Sequence, residues 1–166
     1  MEERRTLAWH ETLEVHELTA SQANSLIKMK MSVKKITDPE LRSIYLQSID
    51  TLEDNLSDLL QFYPMMPDSP IRAEPQGYDL VGFYAGDLLG FYKSAVRNYA
   101  IAITETATPA LRKTLVKQLM DAIKGHETIF NYMYKKGMYP AYDLPKLLSN
   151  DFKNAQKAIS LEIDKT

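Results

Sequence analysis

The middle of the chain is interrupted by four prolines: Pro64, Pro67, Pro70 and Pro75. Proline lacks an amide hydrogen and clashes with the preceding helical turn, so no continuous helix can cross this segment. At about 3.3 Å per residue, the segment from Tyr63 to Gly77 could extend for roughly 50 Å. A bundle helix of about 25 residues measures roughly 37 Å. The proline segment is therefore long enough to return along the whole length of a helical bundle.

Two long helical patterns precede the prolines. The first is predicted from Leu7 to Lys35, with Thr6 as its N-cap, because no proline or glycine interrupts it. The second is predicted from Asp38 to Phe62, where Thr37 and Glu40 have the spacing of a capping box. The loop between them is short, so we expect the two helices to be antiparallel neighbours.

The first helix carries two apolar rows, each with a spacing of mainly three or four residues. The rows are Val15, Leu18, Leu26, Met29 and Val33, and beside them Leu13, Ala20, Ala23, Ile27 and Met31. An apolar stripe of this width is typical of a helix that packs against two neighbours.

Two further long helices are predicted after the prolines. They run from Tyr78 to Thr106 and from Thr108 to Lys136, and Gly137 is expected to end the last one in a left-handed conformation. A polar break at Ser149-Asn150-Asp151 then precedes a short fifth helix that starts near Phe152.

These patterns predict an all-α fold in which residues 1–166 form a single ferritin-like domain. The domain would be a four-helix bundle with one long crossover and a short C-terminal fifth helix. The crossover makes the third helix parallel to the second, which is the ferritin-like connectivity.

Composition excludes several functional classes. The chain has 166 residues, a net charge of −2 and no cysteine, which argues against nucleic-acid binding and excludes thiol catalysis and Cys–metal sites. No apolar stretch has the roughly 18 residues of a membrane span. The first residues are not followed by a signal-peptide pattern, so we expect a protein that is made in the cytoplasm and not exported.

The sequence lacks the motif that di-metal helix bundles use. Such sites need Glu-x-x-His on two helices, but the residues three positions before His10, His16 and His126 are leucine, leucine and isoleucine. A weaker candidate is a polar row on the first helix: His10, Glu14, Glu17, Ser21, Asn24 and Lys28. With His126 or Glu127 it would form a metal site, whereas the alternative is a solvated face. We expect the solvated face and predict no metal or cofactor site.

Glycines recur every four residues on the third helix, at Gly82, Gly86 and Gly90. Each costs about 1 kcal/mol relative to alanine in a helix. Close packing against bulky neighbours is the expected reason, and a small cavity for a ligand or partner helix is the alternative.

Two groups of aromatic and methionine residues are candidate association surfaces, because these residue types are enriched at interfaces. The first group is Tyr132, Tyr134, Tyr139 and Tyr142, and the second is Phe62, Tyr63, Met65 and Met66. Nucleophile motifs and phosphate loops are absent from the sequence, so we predict no catalytic residue and no enzyme activity.

Three segments resemble the coat protein F family of bacterial endospores. They are Thr6–Leu18, the stretch from Asp38-Pro39-Glu40-Leu41-Arg42 to Leu60, and Met138–Asp143, and the resemblance is most specific in the first sixty or so residues. It implies a ferritin-like structural component of the spore coat, without catalytic residues, assembled from the mother-cell cytoplasm. Its partners would be other coat proteins or further copies of the chain in a homo-oligomer.

Two other functions are left open by the residues themselves. One is a metal-binding or redox bundle that uses the row of His10, Glu14 and Glu17. The other is a small-ligand binding bundle with its pocket against Gly82, Gly86 and Gly90.

Overall fold

A computed structural model describes residues 6–67 and 80–163. In that part of the chain all regular structure is helical, which confirms the predicted all-α class. The helices are α1 (Trp9–Val33), α2 (Pro39–Leu60), α3 (Leu80–Glu105), α4 (Pro109–Lys135) and α5 (Leu144–Ser160). A 3-10 turn, Tyr63–Met65, follows α2. Most of the predicted crossover, residues 68–79, lies outside the described residues.

Local capping interactions set the starts of α1 and α2. Ala8 holds the N-cap position of α1, and its backbone amide donates to the Glu11 carboxylate at 2.7 Å. Asp38 caps α2 by accepting from the amide of Leu41 at 2.7 Å. The predicted caps, Thr6 and Thr37, are therefore each misplaced by one or two residues. A carboxylate next to Pro39 satisfies a free amide of the first turn of α2 directly.

The end of α4 confirms the predicted role of Gly137. This glycine has φ 71°, in the left-handed region. Its amide donates to the carbonyl of Tyr134 at 3.0 Å, and the Met138 amide donates to that of Met133 at 2.9 Å. These two bonds form a Schellman motif, which satisfies carbonyls that the helix end would leave unpaired.

The described chain divides into two compact units. The first comprises residues 1–78 and 140–166 and contains α1, α2 and α5. Within it, α1 packs against both α2 and α5, as its wide stripe predicts. The amide of Leu7 donates to the carbonyl of Met65 at 2.7 Å, so the chain after α2 returns to the start of α1. Helices α1 and α2 are therefore antiparallel, as the short loop predicts.

The buried face of α1 differs from either predicted row. Its buried residues are Thr12, His16, Thr19, Ala23, Leu26, Ile27, Lys30 and Val33, and apart from Ile27 they follow one another by three or four positions. Leu13 and Leu18, which were predicted to be buried, are 49% and 48% exposed. The prediction is wrong for these two residues because α2 and α5 supply polar partners for His16 and Lys30. Those partners select the helix face that is buried.

Helix α5 is longer than predicted and includes the expected polar break. Asp143 caps it by accepting from the Lys146 amide at 3.0 Å, and Pro145 lies in the first turn. Ser149 to Asp151 are helical, and Asp151 is buried. The predicted break is wrong because Asp151 is a core residue held by a partner on α1.

The core of the first unit includes residues that the sequence suggested for the surface. Tyr63 is 0% exposed, Met66 is 3% exposed, and both pack against Leu148 of α5. The Tyr63 ring meets Phe152 edge-on, with 5.7 Å between ring centroids. The 3-10 turn after α2 directs Tyr63 inward, so the predicted association surface keeps only Phe62 as a clearly exposed aromatic.

The second unit, residues 79–139, is a hairpin of α3 and α4. A close contact between its helices lies at Gly125 of α4, where a Cβ atom would overlap the ring of Tyr92. In contrast, Gly90 is exposed, and a Cβ atom there would meet no described atom within 4 Å. The predicted close packing is therefore wrong at Gly90. The glycine that permits close approach lies on α4, because the bulky ring comes from α3.

Candidate functional site

A buried polar cluster joins the middle of α1 to the middle of α5. His16 Nδ1 lies 2.5 Å from Asp151 Oδ2, and the two residues are 4% and 5% exposed. The Tyr63 hydroxyl lies 3.5 Å from the same carboxylate oxygen. Thr12 and Thr19, one turn before and after His16, are fully buried. The Asp151 carboxylate is therefore shared by α1 and the turn that follows α2.

Burial dominates the acid–base properties of this cluster. It raises the pKa of Asp151, and the hydrogen bond and charge of His16 oppose that rise. Burial also raises the pKa of the Tyr63 phenol, and the nearby Asp151 charge raises it further. Tyr63 therefore keeps its proton at neutral pH and can only act as a hydrogen-bond donor to the carboxylate.

The cluster contains the groups of an acid–base relay, but they are sealed from solvent. An imidazole, a carboxylate and a phenol on three chain segments could move a proton if a substrate reached them. All three side chains are buried, and they are surrounded by the core of the first unit. The geometry is that of a connection between helices.

A second buried polar group joins α1 to the end of α5. Lys30 is 3% exposed, and its Nζ donates to the carbonyls of Ala158 and Ile159 at 2.8 and 2.7 Å. The same ammonium lies 2.5 Å from the Glu53 carboxylate of α2. The C-terminus of a helix carries partial negative charge, so a cation there is stabilising. Lys30 therefore connects all three helices of the first unit.

Sequence reasoning missed both groups. It considered His16 only as a metal ligand and did not single out Lys30. The signal that could have found them is the three–four spacing from Thr12 to Val33, which includes both polar and apolar residues on one face. A search for apolar periodicity alone excludes such a row.

The structure does not gather the polar row of α1 into a metal site within the described residues. His10 and Glu14 are exposed, and Glu17 is half-buried near Asp151, whose pKa its charge raises. His126 belongs to the second unit, where its ring stacks on Phe130 with centroids 6.4 Å apart. No group of three or more metal-ligating side chains occurs within residues 6–67 and 80–163.

A groove of about 300 Å³ lies between α3 and α4 in the hairpin. Its lining residues are Lys93, Val96, Arg97, Ile123 and His126. Aliphatic side chains from both helices form its walls, and cationic side chains come from α3. This groove was not predicted, and it does not involve the glycine row.

The hairpin exposes large apolar side chains on both helices. On α3 these include Tyr84, Leu88 and Phe91, which are 57%, 43% and 62% exposed. On α4 a row of three, Val116, Met120 and Ile123, is 44%, 59% and 42% exposed, and its last member also lines the groove. A single exposed apolar residue is ordinary, but contiguous rows mark interaction surfaces.

The predicted tyrosine group is largely exposed. Tyr132, Tyr134 and Tyr142 are 40%, 46% and 92% exposed, whereas Tyr139 packs against Phe130 with centroids 5.4 Å apart.

None of the described helices combines the length and hydrophobicity needed to cross a membrane.

Comparison with known proteins identifies a family and one curated relative. The family model described as the Coat F domain matches residues 82–142. That region spans most of the hairpin and extends to Tyr142. Of the three segments that carried the resemblance, only the last overlaps it. The first sixty residues, where the resemblance was expected to be most specific, lie outside the match. No solved structure matches the chain significantly.

The relative is the spore coat protein F-like protein YraD of Bacillus subtilis (strain 168). It is 39% identical over 77 residues, which cover 46% of this chain and 78% of the relative. Identity at this level over most of the relative establishes common descent. The chain therefore belongs to the spore coat protein F family.

Proposed function

We propose that the chain is a non-catalytic structural component of the spore coat, which acts by associating with copies of itself or with other coat proteins. One observation carries this proposal. The region that matches the Coat F domain is the hairpin, and the hairpin exposes rows of large apolar side chains. A surface of this kind is stabilised when another protein covers it.

The buried polar groups support a structural role for the first unit. The His16–Asp151 pair and the Lys30 ammonium are at most 5% exposed, which supports a structural rather than a catalytic role. Both instead hold α5 against α1, from residues four turns apart on α1. A protein that acts through its surfaces needs its helices in one arrangement, and buried polar pairs favour a specific arrangement.

The ferritin-like four-helix bundle and the single domain predicted from the sequence belong to the same proposal. In a bundle of this kind two further helices would cover the α3 row of Tyr84, Leu88 and Phe91, and the α4 row would stay on the outside. The family resemblance and the length of the proline segment support it. Spin-label distances between α2 and α3 would test it. Labels at the starts of the two helices should lie closer together than labels at the start of α2 and the end of α3, and the reverse order would refute the parallel crossover.

The cellular role can be tested by imaging. A fluorescent fusion expressed in the mother cell during sporulation should accumulate as a shell at the surface of the forespore. When coat proteins are extracted from the spores, the fusion should be extracted with them. Val116→Ser with Met120→Ser should weaken this accumulation, because both substitutions remove exposed apolar surface of the hairpin. Leu13→Ser with Leu18→Ser, exposed to a similar degree on α1, is the matched control. A fusion that stays diffuse in the mother cell throughout sporulation would refute the coat role.

A further inference from the structure

The outer side of the hairpin combines an apolar row with a row of lysines. The apolar row is Val116, Met120 and Ile123, and beside it run Lys113, Lys117 and Lys124. Ile123 continues the apolar row into the groove lined by Lys93 and Arg97. These residues together are called the α4 docking surface. We propose that it binds the acidic outer face of α2 in a second copy of this chain, and this proposal rests on the structural role proposed above.

Helical geometry places the two rows side by side. Val116, Met120 and Ile123 advance by four and three residues, which keeps them on one stripe. Lys113 and Lys117 each precede a member of that stripe by three residues, and Lys124 follows Met120 by four. An incoming helix that covers the apolar stripe would therefore have cations along its edge.

The charges of α4 select an acidic occupant. The helix contains five basic and two acidic residues, and all three lysines of the docking surface are exposed. A hairpin docked face to face on a second hairpin would bring these lysines close to their own copies, and such like-charge contacts are unfavourable. The charges therefore favour an occupant that carries acidic side chains beside apolar ones.

Helix α2 has that chemistry. It contains five acidic residues and one basic residue. Leu41 and Ile44 are 45% and 52% exposed on its first turns, and Asp54 and Asp58 are exposed on its last turns. Glu40, Ile44, Asp54 and Asp58 lie on one exposed stripe of α2, so its outer face offers carboxylates to the lysines and Ile44 to the apolar row. The other sides of α2 are covered within the first unit by α1 and α5.

The same chain therefore carries both halves of the contact. A surface on the hairpin of one copy would bind a different surface, α2, on the next copy. Contacts of this head-to-tail type produce closed rings or open arrays, depending on the rotation between copies. A coat layer can be built by an open array of this kind.

Charge reversal on each half provides the test. One variant carries Lys117→Glu and Lys124→Glu, and the other carries Asp54→Lys and Asp58→Lys. Wild type should associate in analytical ultracentrifugation, and its association should weaken as salt rises. Each variant alone should associate roughly tenfold more weakly or worse, because its two surfaces then carry like charge. An equimolar mixture should recover association, because each hairpin then meets an α2 of opposite charge.

Matched controls separate docking from folding and from net charge. Lys34→Glu with Lys35→Glu changes the net charge as the first variant does, in the exposed loop after α1, and should leave association unchanged. Far-ultraviolet circular dichroism should show wild-type helix content for every variant.

Three results would overturn the proposal. Wild type that stays monomeric would exclude a second copy as the occupant. A mixture that stays as weakly associated as its components would exclude the contact between the hairpin and α2. If the lysine variant lost association and the aspartate variant did not, the α4 docking surface would bind an acidic surface other than α2. If association fails these tests while the fluorescent fusion still reaches the spore surface, only the partner is wrong and the coat role stands.

Discussion

Replacing Asp151 with leucine should strongly destabilise the first unit. The substitution removes the carboxylate that His16 approaches at 2.5 Å and that Tyr63 approaches at 3.5 Å. It leaves an imidazole and a phenol in a core where both residues are at most 4% exposed. Breaking a buried pair by removing one member costs about 3–5 kcal/mol. For a chain of this size each kcal/mol corresponds to about 2–4 °C, so the melting temperature should fall by roughly 6–20 °C.

Removing both members should cost much less than removing one. In His16→Leu with Asp151→Leu, neither member of this pair is left without its partner, and two apolar side chains fill the space. Replacing a buried ion pair in this way is often neutral or stabilising, so we expect recovery to within about 1 kcal/mol of wild type.

Urea unfolding monitored by far-ultraviolet circular dichroism measures all four members of this double-mutant cycle. Asp58→Leu, at an exposed position on α2, is the control and should change the free energy of unfolding by less than about 0.5 kcal/mol. The reasoning is refuted if Asp151→Leu costs less than about 1 kcal/mol. It is also refuted if the double variant loses the sum of the two single effects.

Four other results are expected. Gly125→Ala should destabilise the protein by about 1–3 kcal/mol, because the added Cβ atom would overlap Tyr92. Gly90→Ala, in open space, should stabilise it by up to about 1 kcal/mol. Equal effects of the two variants in thermal melts would contradict the packing described for the hairpin. Lys30→Met should cost about 1–3 kcal/mol and speed amide exchange in α5, since two carbonyls and Glu53 lose their cation; unchanged exchange would show that α5 does not depend on it. Burial raises the pKa of Asp151 in the folded state, so its protonated form favours folding. Relative to Asp151→Asn, wild type should therefore lose stability as the pH rises from the ordinary carboxyl pKa of 3.8 through the raised pKa of the folded state. A gain in stability over that pH range would show that burial is not the cause. Elemental analysis of protein purified without chelator should find less than stoichiometric iron, manganese or zinc, and a stoichiometric metal would redirect attention to His10, Glu14 and Glu17.

The sequence-based predictions agree best with the structure for features that local interactions determine. The short loop before α2 predicts an antiparallel pair, which the contact between Leu7 and Met65 confirms. Gly137 ends α4 as predicted because only a residue without a side chain adopts its positive φ readily. The family could also be predicted, although the family model matches residues 82–142 and not the first sixty residues.

Errors arose where a residue's environment is set by distant parts of the chain. Asp151 was read as part of a loop because aspartate, serine and asparagine in sequence are typical of loops. Its partner, His16, lies 135 residues away, and no local pattern reports that contact. Tyr63 and Met66 were assigned to an exposed surface for the same reason, since the turn after α2 directs them toward α5.

The amino-acid sequence by itself determined where the helices lie and where most of them end. Helix periodicity, prolines, glycine and capping side chains act within a few residues of one another, so their effects can be read along the chain. Only the tertiary structure decided which face of α1 is buried. That face carries His16 and Lys30, which are costly to bury alone and become favourable only when Asp151, Glu53 and the end of α5 surround them. Because the partners come from distant segments, the choice of face is a property of the folded chain.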